Sequence, residues 1–555
     1  VYKRQPLIPA FPAAGFLSRP LALKYATQVN CFTVPARLTS ILQPASRVPI
    51  RTTDDVADCP GGKAMPLLDA YRLYKKSCRR RKQTLSNPNT IQALIEAGAD
   101  SNPAIAGIDR APFLYADLRQ QATQTAATLN GLGIGRNDRV AIVLPNGPEM
   151  AAAFVCLAAC TTTAPLNPAY TRDEYEFYLS DLGARALLVE KGSDSAAVDA
   201  AKSLGIQVLY LDVANDAPAG AFSVTASQGN DYPAAERTGL AGPDDIALIL
   251  HTSGTTSRPK IVPLSQRNLC ASAANIRETL VLESGDICLN IMPLFHIHGL
   301  MAAILATLAS GASVCCTPGF NAHRFFRWFK AVRPTWYTAV PTMHQAILLV
   351  GAGKEHLLET SRLRFIRSSS SSLPPQVLAE LEDMFDVPVV EAYAMTEAAH
   401  QMTSNQLPPG VRKPGTVGCA AGPEVAIMSE AEPALLKQGK TGEVVIRGPN
   451  VTAGYENNPA ANEECFVDGW FRTGDQGVMD ESGYLTITGR LKEIINRGGE
   501  KISPREVDDV LMDHPAVQQV VTFAMPHKML GEEVAAAVVL NDGRDADEAD
   551  IRNFA

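Results

Sequence analysis

From residue 139 onward, short apolar runs suited to buried strands alternate with amphipathic stretches suited to helices. Residues 139–145 (RVAIVLP), 186–190 (ALLVE) and 207–211 (QVLYL) read as strands. Residues 149–160 and 195–204 read as helices between them, after earlier helices at 90–97 and 116–132. The pattern resumes from residue 286 to 390, with strands near 313–317, 336–339, 365–368 and 387–390. A parallel strand pair needs a crossover, and a helix is the usual one, so this alternation predicts an α/β domain with largely parallel sheets. Between about residues 417 and 489 the pattern changes. Strands at 425–428, 443–447 and 485–488 are separated by Gly, Pro and Asn turns with no long helix, which predicts a small antiparallel sheet or barrel. A new unit starts after Arg490, with a helix at 504–513, strands at 517–524 and 533–540, and the opening of a helix at 545–554. The expected boundary is at 489–492.

With 555 residues the chain exceeds one core, and 46% hydrophobic with 19% charged residues is a globular composition. A net charge of −8 gives no reason to expect nucleic-acid binding. Apolar stretches at 150–160 and 300–308 are too short for a membrane span and read as buried helices. The eleven cysteines contain no CxxC pair, which suits reduced thiols and not a disulfide framework or zinc site. Residues 1–86 stand apart. Up to Ile50 they carry Lys3, Arg4, Arg19, Lys24, Arg37 and Arg47 and no acid, and residues 75–82 read KKSCRRRK. Such a segment suits an organellar targeting sequence, a disordered tail or a translated non-coding stretch.

Three stretches carry candidate chemistry. The first follows an apolar run (245–251, DIALILH) and reads HTSGTTSRPK, residues 251–260. Hydroxyls and a glycine let a backbone turn tightly and donate to an anion, and Lys260 adds a mobile positive charge, as a triphosphate requires. It is not a Walker loop, because Pro259 and Ile261 replace the second glycine and the Ser/Thr. A plain solvated loop has comparable weight on these residues alone. The second, EAYAMTEAAH (391–400), follows the strand VPVV. A loop at the carboxyl edge of a parallel sheet is where ligands bind in open α/β folds. There Tyr393 offers a flat face for a base, Thr396 a hydroxyl for phosphate and Glu397 a carboxylate for Mg2+. An exposed helix N-terminus is the bland alternative. The third, residues 469–490, contains GWFRTGDQG and GYLTITGR. Asp475 in a Gly-flanked turn suits two vicinal ribose hydroxyls, with Arg490 able to assist; a simple turn-former is the alternative.

TSGTTSRPK, PLFHIHG, YAMTE, WFRTGD and GRLKEIINRGGEKISPREVD occur in this order. Together they resemble the adenylate-forming superfamily of acyl-CoA synthetases, aryl-CoA ligases, peptide-synthetase adenylation domains and luciferases. Residues 164–182, 335–345, 363–373 and 391–400, with GPNVTAGYENNPAAN, resemble more narrowly its oxalate–CoA ligase branch. That branch is similar also in the Ser257-Arg258 pair, whereas Ile261, Ser369 and Ser371 depart from it. A β-branched Ile after the lysine would stiffen a loop that must move.

The resemblance implies a large N-terminal domain of two α/β subdomains plus a small β-barrel (87–490). A small α+β C-terminal domain on a hinge (491–555) follows. It implies an ATP-dependent acid–CoA ligase acting through an acyl-adenylate, with oxalate as acid and ATP, CoA and Mg2+ required. Thr252, Ser253, Gly254, Thr255, Thr256 and Lys260 would cradle the phosphates. Ser370, Ser371, Ser372, Glu391, Ala392 and Tyr393 would line the adenine and acyl site. Thr396 would contact the α-phosphate, Glu397 the magnesium, and Asp475 and Arg490 the ribose. Lys492 would be the hinge, Gly498 would let pantetheine pass close to the backbone, and His296 would gate its tunnel. Ser370, His400 and His298 are donors suited to a second carboxylate, which is costly to bury without partners. On residues alone, His400 reads more readily as a surface histidine on a helix. An aryl- or medium-chain-acyl-CoA ligase and a non-catalytic adenylate-binding protein are the alternatives. The second arises because the family's adenylating lysine lies near the C-terminus, and this sequence reaches Ala555 before such a motif. The expectation is slow adenylation with binding retained. A cytoplasmic or peroxisomal location, with targeting by residues 1–86, is implied; oligomeric state is open.

Overall fold

The computed structural model describes residues 30–33 (backbone only), 88–227, 234–252, 259–541 and 543–554. These fall into two compact units, one formed by residues 88–487 and the other by 488–554 with 30–33.

The larger unit contains three sheets. In the first, the parallel strands Thr162–Pro165, Arg139–Val143, Ala186–Glu190 and Gln207–Asp212 lie side by side in that order. Ile246–Thr252 joins next to Thr162–Pro165, and Lys260–Ser265 returns antiparallel to it. The second sheet has nine strands. Six of them run parallel in the order Val389–Met395, Phe365–Ser369, Trp336–Ala339, Ile287–Asn290, Ser313–Cys316, Pro103–Gly107. Antiparallel strands close its edges, among them His400–Ser404 beside Val389–Met395. The third is a small antiparallel sheet of Glu424–Met428, Thr441–Arg447, Trp470–Met479 and Phe466–Val467, with Leu485–Arg490 beside Trp470–Met479.

The strands are apolar for a physical reason. Phe365–Ser369 is buried at all five positions and Ala186–Glu190 at four, because helices or a second layer cover both faces of a parallel sheet. One core cluster holds Val140, Ile142 and Leu188 from the first sheet with Ile105, Trp336 and Phe365 from the second. Several helical elements contribute to that cluster, among them Pro148–Ala158, Gln266–Thr279 and the π-wound His298–Leu305. Pro148–Ala158 has ten buried residues out of eleven, as a helix apolar all round should. Ala322–Val332 is amphipathic instead, burying Phe325, Phe326, Trp328 and Phe329. Arg172–Leu182 shows how local sequence ends a helix. Thr171 and Glu174 form a reciprocal capping box at its start, and Gly183 in the left-handed region ends it.

The smaller unit is a sheet of Val517–His527, Gly531–Leu540, Ile495–Arg497 and Glu500–Ile502 with the helix Pro504–Met512. Asn30–Thr33 pairs antiparallel with Gly531–Leu540, so the one described piece of the N-terminal segment is a strand. Among the described residues the cysteines are free thiols, and no helix is long and apolar enough to cross a membrane.

Three local expectations are corrected. Residues 391–395 are not loop, because the strand Val389–Met395 runs through Tyr393 and pairs with His400–Ser404. Asp475 is not in a turn but inside the strand Trp470–Met479, beside a register shift in its pairing with Thr441–Arg447. Ile261 is buried in the strand Lys260–Ser265 opposite His251, where a β-branched residue is well suited, and so does not stiffen a loop.

Candidate active site

The run 391–400 organises the site. A strand carries Glu391, Ala392 and Tyr393, a single 3₁₀ turn (Thr396–Ala398) carries Thr396 and Glu397, and His400 opens the returning strand. Ala399 and His400 both have positive φ, 47° and 95°, which reverses the chain within two residues. His400 is therefore fully buried in a strand, and the surface-helix alternative fails.

Three groups of side chains gather along this run. In the first, the Lys260 ammonium lies 4.4 Å from the Tyr455 ring centroid. The Tyr455 hydroxyl donates to Glu397 Oε1 at 2.8 Å. Burial and the Glu397 charge push the Tyr455 phenol up, so it stays a donor. The loop bearing Tyr455 is fixed on both sides. Thr452 N–H donates to Glu397 O at 2.7 Å, and Arg139 Nη2 donates to both Glu456 carboxylate oxygens at 2.7 and 2.8 Å. Thr252 stands opposite Lys260 in the ladder. Ser253, Gly254, Thr255 and Thr256, between those strands, lie outside the described residues.

In the second group, the Tyr393 hydroxyl donates to Asp475 Oδ2. Asp475 is only 6% exposed, and its own N–H donates to Thr473 Oγ1 at 3.1 Å. Glu391 is committed to the scaffold, because its carboxylate accepts from Leu373 N–H at 2.9 Å. That bond holds the loop carrying Ser370, Ser371 and Ser372 against the strand. Ala392 O accepts from Ser369 Oγ at 2.9 Å.

The third group is a polar nest, buried except at Ser370, which is exposed. His298 Nδ1 lies 3.0 Å from Ser370 Oγ, and its Nε2 lies 2.6 Å from Thr338 Oγ1. The His298 and His400 rings stack at 4.9 Å with a 30° interplanar angle. Both His400 ring nitrogens are buried without a partner. Beneath them is Arg367, fully buried on the strand Phe365–Ser369. Its contacts are long: Gln401 Oε1 at 3.3 Å, Thr338 Oγ1 at 3.4 Å and His298 Nε2 at 3.5 Å, while Nε has no partner. Burial first, then Arg367, holds His298 and His400 well below the ordinary histidine range. Burial brings Arg367 down to about 9, so it remains charged at neutral pH.

His296 is exposed against Phe295. Arg490, Lys492 and Gly498 belong to the smaller unit, where all three are exposed. Gly498 and Gly499 form the two-residue turn between Ile495–Arg497 and Glu500–Ile502, at φ 63° and 97°. That turn requires glycine whatever passes nearby.

Reasoning from sequence assigned no role to Arg367, Thr338, Gln401 or Tyr455. A charge at the centre of a strand whose neighbours read as buried was the available signal for Arg367.

Three buried histidines give this core a pH dependence. His298, His344 and His400 are all depressed by burial, His344 to about 4. Below the unfolded value of about 6.5 the unfolded chain binds protons that the folded chain refuses. Stability is thus fully present above about 6.5 and is lost as pH falls toward the folded values, by up to about 1.4 kcal/mol per pH unit for each group. Unfolding midpoints should be flat above pH 7.5 and fall between 6.5 and 5, with His344→Gln shallower than the parent. A flat profile through that window contradicts the assignment.

Residues 99–456 match the AMP-binding enzyme family, and residues 506–555 its C-terminal domain. The chain is 45% identical to the oxalate–CoA ligase of Arabidopsis thaliana, over 84% of this chain and 91% of that protein. It is 42% identical to the oxalate–CoA ligase of Saccharomyces cerevisiae, over 76% and 80%. Among solved structures, ATP-bound MatB from Rhodopseudomonas palustris superposes with a TM-score of 0.74 at 28% identity, covering 84% of this chain and 91% of that one. The chain therefore belongs to the AMP-binding enzyme family, and within it is an AMP-forming acid–CoA ligase with ATP and CoA as co-substrates.

Proposed function

We propose that the acid is oxalate, giving oxalyl-CoA, AMP and diphosphate. The observation that carries this reading is the third group: the buried rings of His298 and His400 lie over a buried guanidinium, with the exposed Ser370 hydroxyl on His298. An acyl pocket for a fatty chain would be lined by apolar groups. An unpartnered His400 ring and a serine hydroxyl beside a cation instead suit a second carboxylate, whose burial costs several kcal/mol unless it is paired. The two oxalate–CoA ligases support the same reading.

Other roles carry over from the resemblance of the motifs. Lys260 and the loop after Thr252, with Ser253 to Thr256, serve the β- and γ-phosphates, Thr396 the α-phosphate, and Asp475 the ribose. Arg490 assists at the ribose, Lys492 acts as hinge, Gly498 lets pantetheine pass close to the backbone, and His296 gates its tunnel. Glu391 and Ala392, bonded to Leu373 and Ser369 on either side of Ser370 to Ser372, shape the wall between adenine and acid. Among the described residues no group of three His, Cys, Asp or Glu could hold a metal. A single hard carboxylate, Glu397, fits Mg2+, which is commonly bound by one or two carboxylates plus substrate phosphates. Bound there, the ion would neutralise charge on the triphosphate. Tyr455 aims the Glu397 carboxylate. The chain acts in the cytoplasm or peroxisome.

Tyr455→Phe removes a hydroxyl bonded to Glu397 Oε1. A hydrogen bond to a charged group contributes about 1.5–3 kcal/mol, so kcat/KM should fall roughly tenfold or more, with a higher Mg2+ requirement. Initial rates across a Mg2+ series test this; an unchanged Mg2+ curve removes the aiming role. The substrate reading is tested by product mass. Oxalate, Mg-ATP and CoA should yield AMP and a thioester of oxalyl-CoA mass. A thioester from coumarate or octanoate with none from oxalate would replace oxalate as the acid.

A further inference from the structure

Arg367 is the deepest charge in the acid nest. Among the described residues it makes no ion pair, and three long contacts serve its five N–H donors. A guanidinium taken out of water this completely, with Nε unpartnered, is a cost the fold would not retain for packing alone. The surrounding groups also propagate its orientation. Arg367 can only donate, so Thr338 Oγ1 accepts from Nη1 and turns its own hydrogen to His298 Nε2 at 2.6 Å. His298, held neutral by its burial, then carries its proton on Nδ1 and donates to Ser370 Oγ at 3.0 Å. The Ser370 O–H is left free to point at an acid. Successive donors aligned from a cation polarise one another, so each bond in the chain strengthens the next.

We propose that Arg367 is a specificity-determining positioning residue: through Thr338 and His298 it orients Ser370, and its buried charge selects acids bearing a second carboxylate. This rests on the oxalate reading and deepens it, naming what distinguishes a dianion from an acid of the same shape. His400, stacked on His298 with both ring nitrogens open, completes the donor set facing that anion.

Oxamate is the probe, since it matches oxalate in size but has an amide in place of one carboxylate. The parent protein should favour oxalate over oxamate by roughly tenfold or more in kcat/KM, the size of one charge interaction across several ångström at an intermediate dielectric. In Arg367→Gln that ratio should fall toward one, with KM for ATP unchanged and the unfolding midpoint showing a folded protein. Arg367→Lys keeps the charge without the fork and should keep most of the ratio. Thr338→Val cuts the link to His298 and should lower kcat with oxalate while leaving the ratio in place. A folded Arg367→Gln that retains the parent ratio overturns the proposal. Should that variant not fold, a folded Arg367→Lys that loses the ratio entirely does the same. A parent that fails to favour oxalate sinks the oxalate reading itself, a separate outcome from failure in the variants alone.

Discussion

Glu397→Gln is expected to lower acyl-adenylate formation by about 100-fold or more, the scale of removing a charge that holds a catalytic cation. The side chain is 6% exposed and is held by the Tyr455 hydroxyl at 2.8 Å. Glutamine keeps the shape and can accept that same bond, so the turn Thr396–Ala398 should stay in place. What disappears is the only negative charge this turn offers to a magnesium–triphosphate complex. The loss should fall on kcat, since charge is stabilised most where it develops in the transition state. Acid-dependent pyrophosphate release is the readout, with thermal unfolding as the control for folding. A variant within threefold of the parent would remove Glu397 from the metal role.

Asp475→Ala is expected to raise KM for ATP by about 100-fold. Two hydroxyl bonds to a buried carboxylate contribute about 1.5–3 kcal/mol each, and alanine removes both. Asp475 is pre-positioned for this. The neighbouring Gly474 N–H and the Arg472 side chain both bind Glu443, and the Tyr393 hydroxyl fixes the Asp475 carboxylate itself. Tyr393→Phe is the internal comparison, because it removes one bond to the carboxylate without deleting it and should cost far less. Affinities for ATP and for a 2′,3′-dideoxy analogue separate the ribose role from a general loss of structure. If the alanine variant weakens both nucleotides equally, the diol contact is not what Asp475 makes.

Much of the architecture was legible because burial on both faces forces strands such as Ala186–Glu190 and Trp336–Ala339 to be short apolar runs. The site was legible in its residue types and less so in its geometry. Asp475 reads locally as a turn because Gly-Asp-x-Gly is a turn composition, yet pairing with Thr441–Arg447 draws it into a strand. His400 reads as a surface residue because a polar stretch follows a strand. Positive φ at Ala399 and His400 instead folds the chain back and buries the ring. Arg367 was hidden for the opposite reason. Its neighbours identify a central strand, and nothing local says that a charge there faces two histidines brought from distant parts of the chain.

The central claim is that the acid site selects a short dianion. Pyrophosphate release with Mg-ATP across oxalate, malonate, acetate, coumarate and octanoate tests it most directly. The account predicts release with oxalate well above every other acid, malonate following at a distance. Release led by coumarate or octanoate, with oxalate at background, would contradict it.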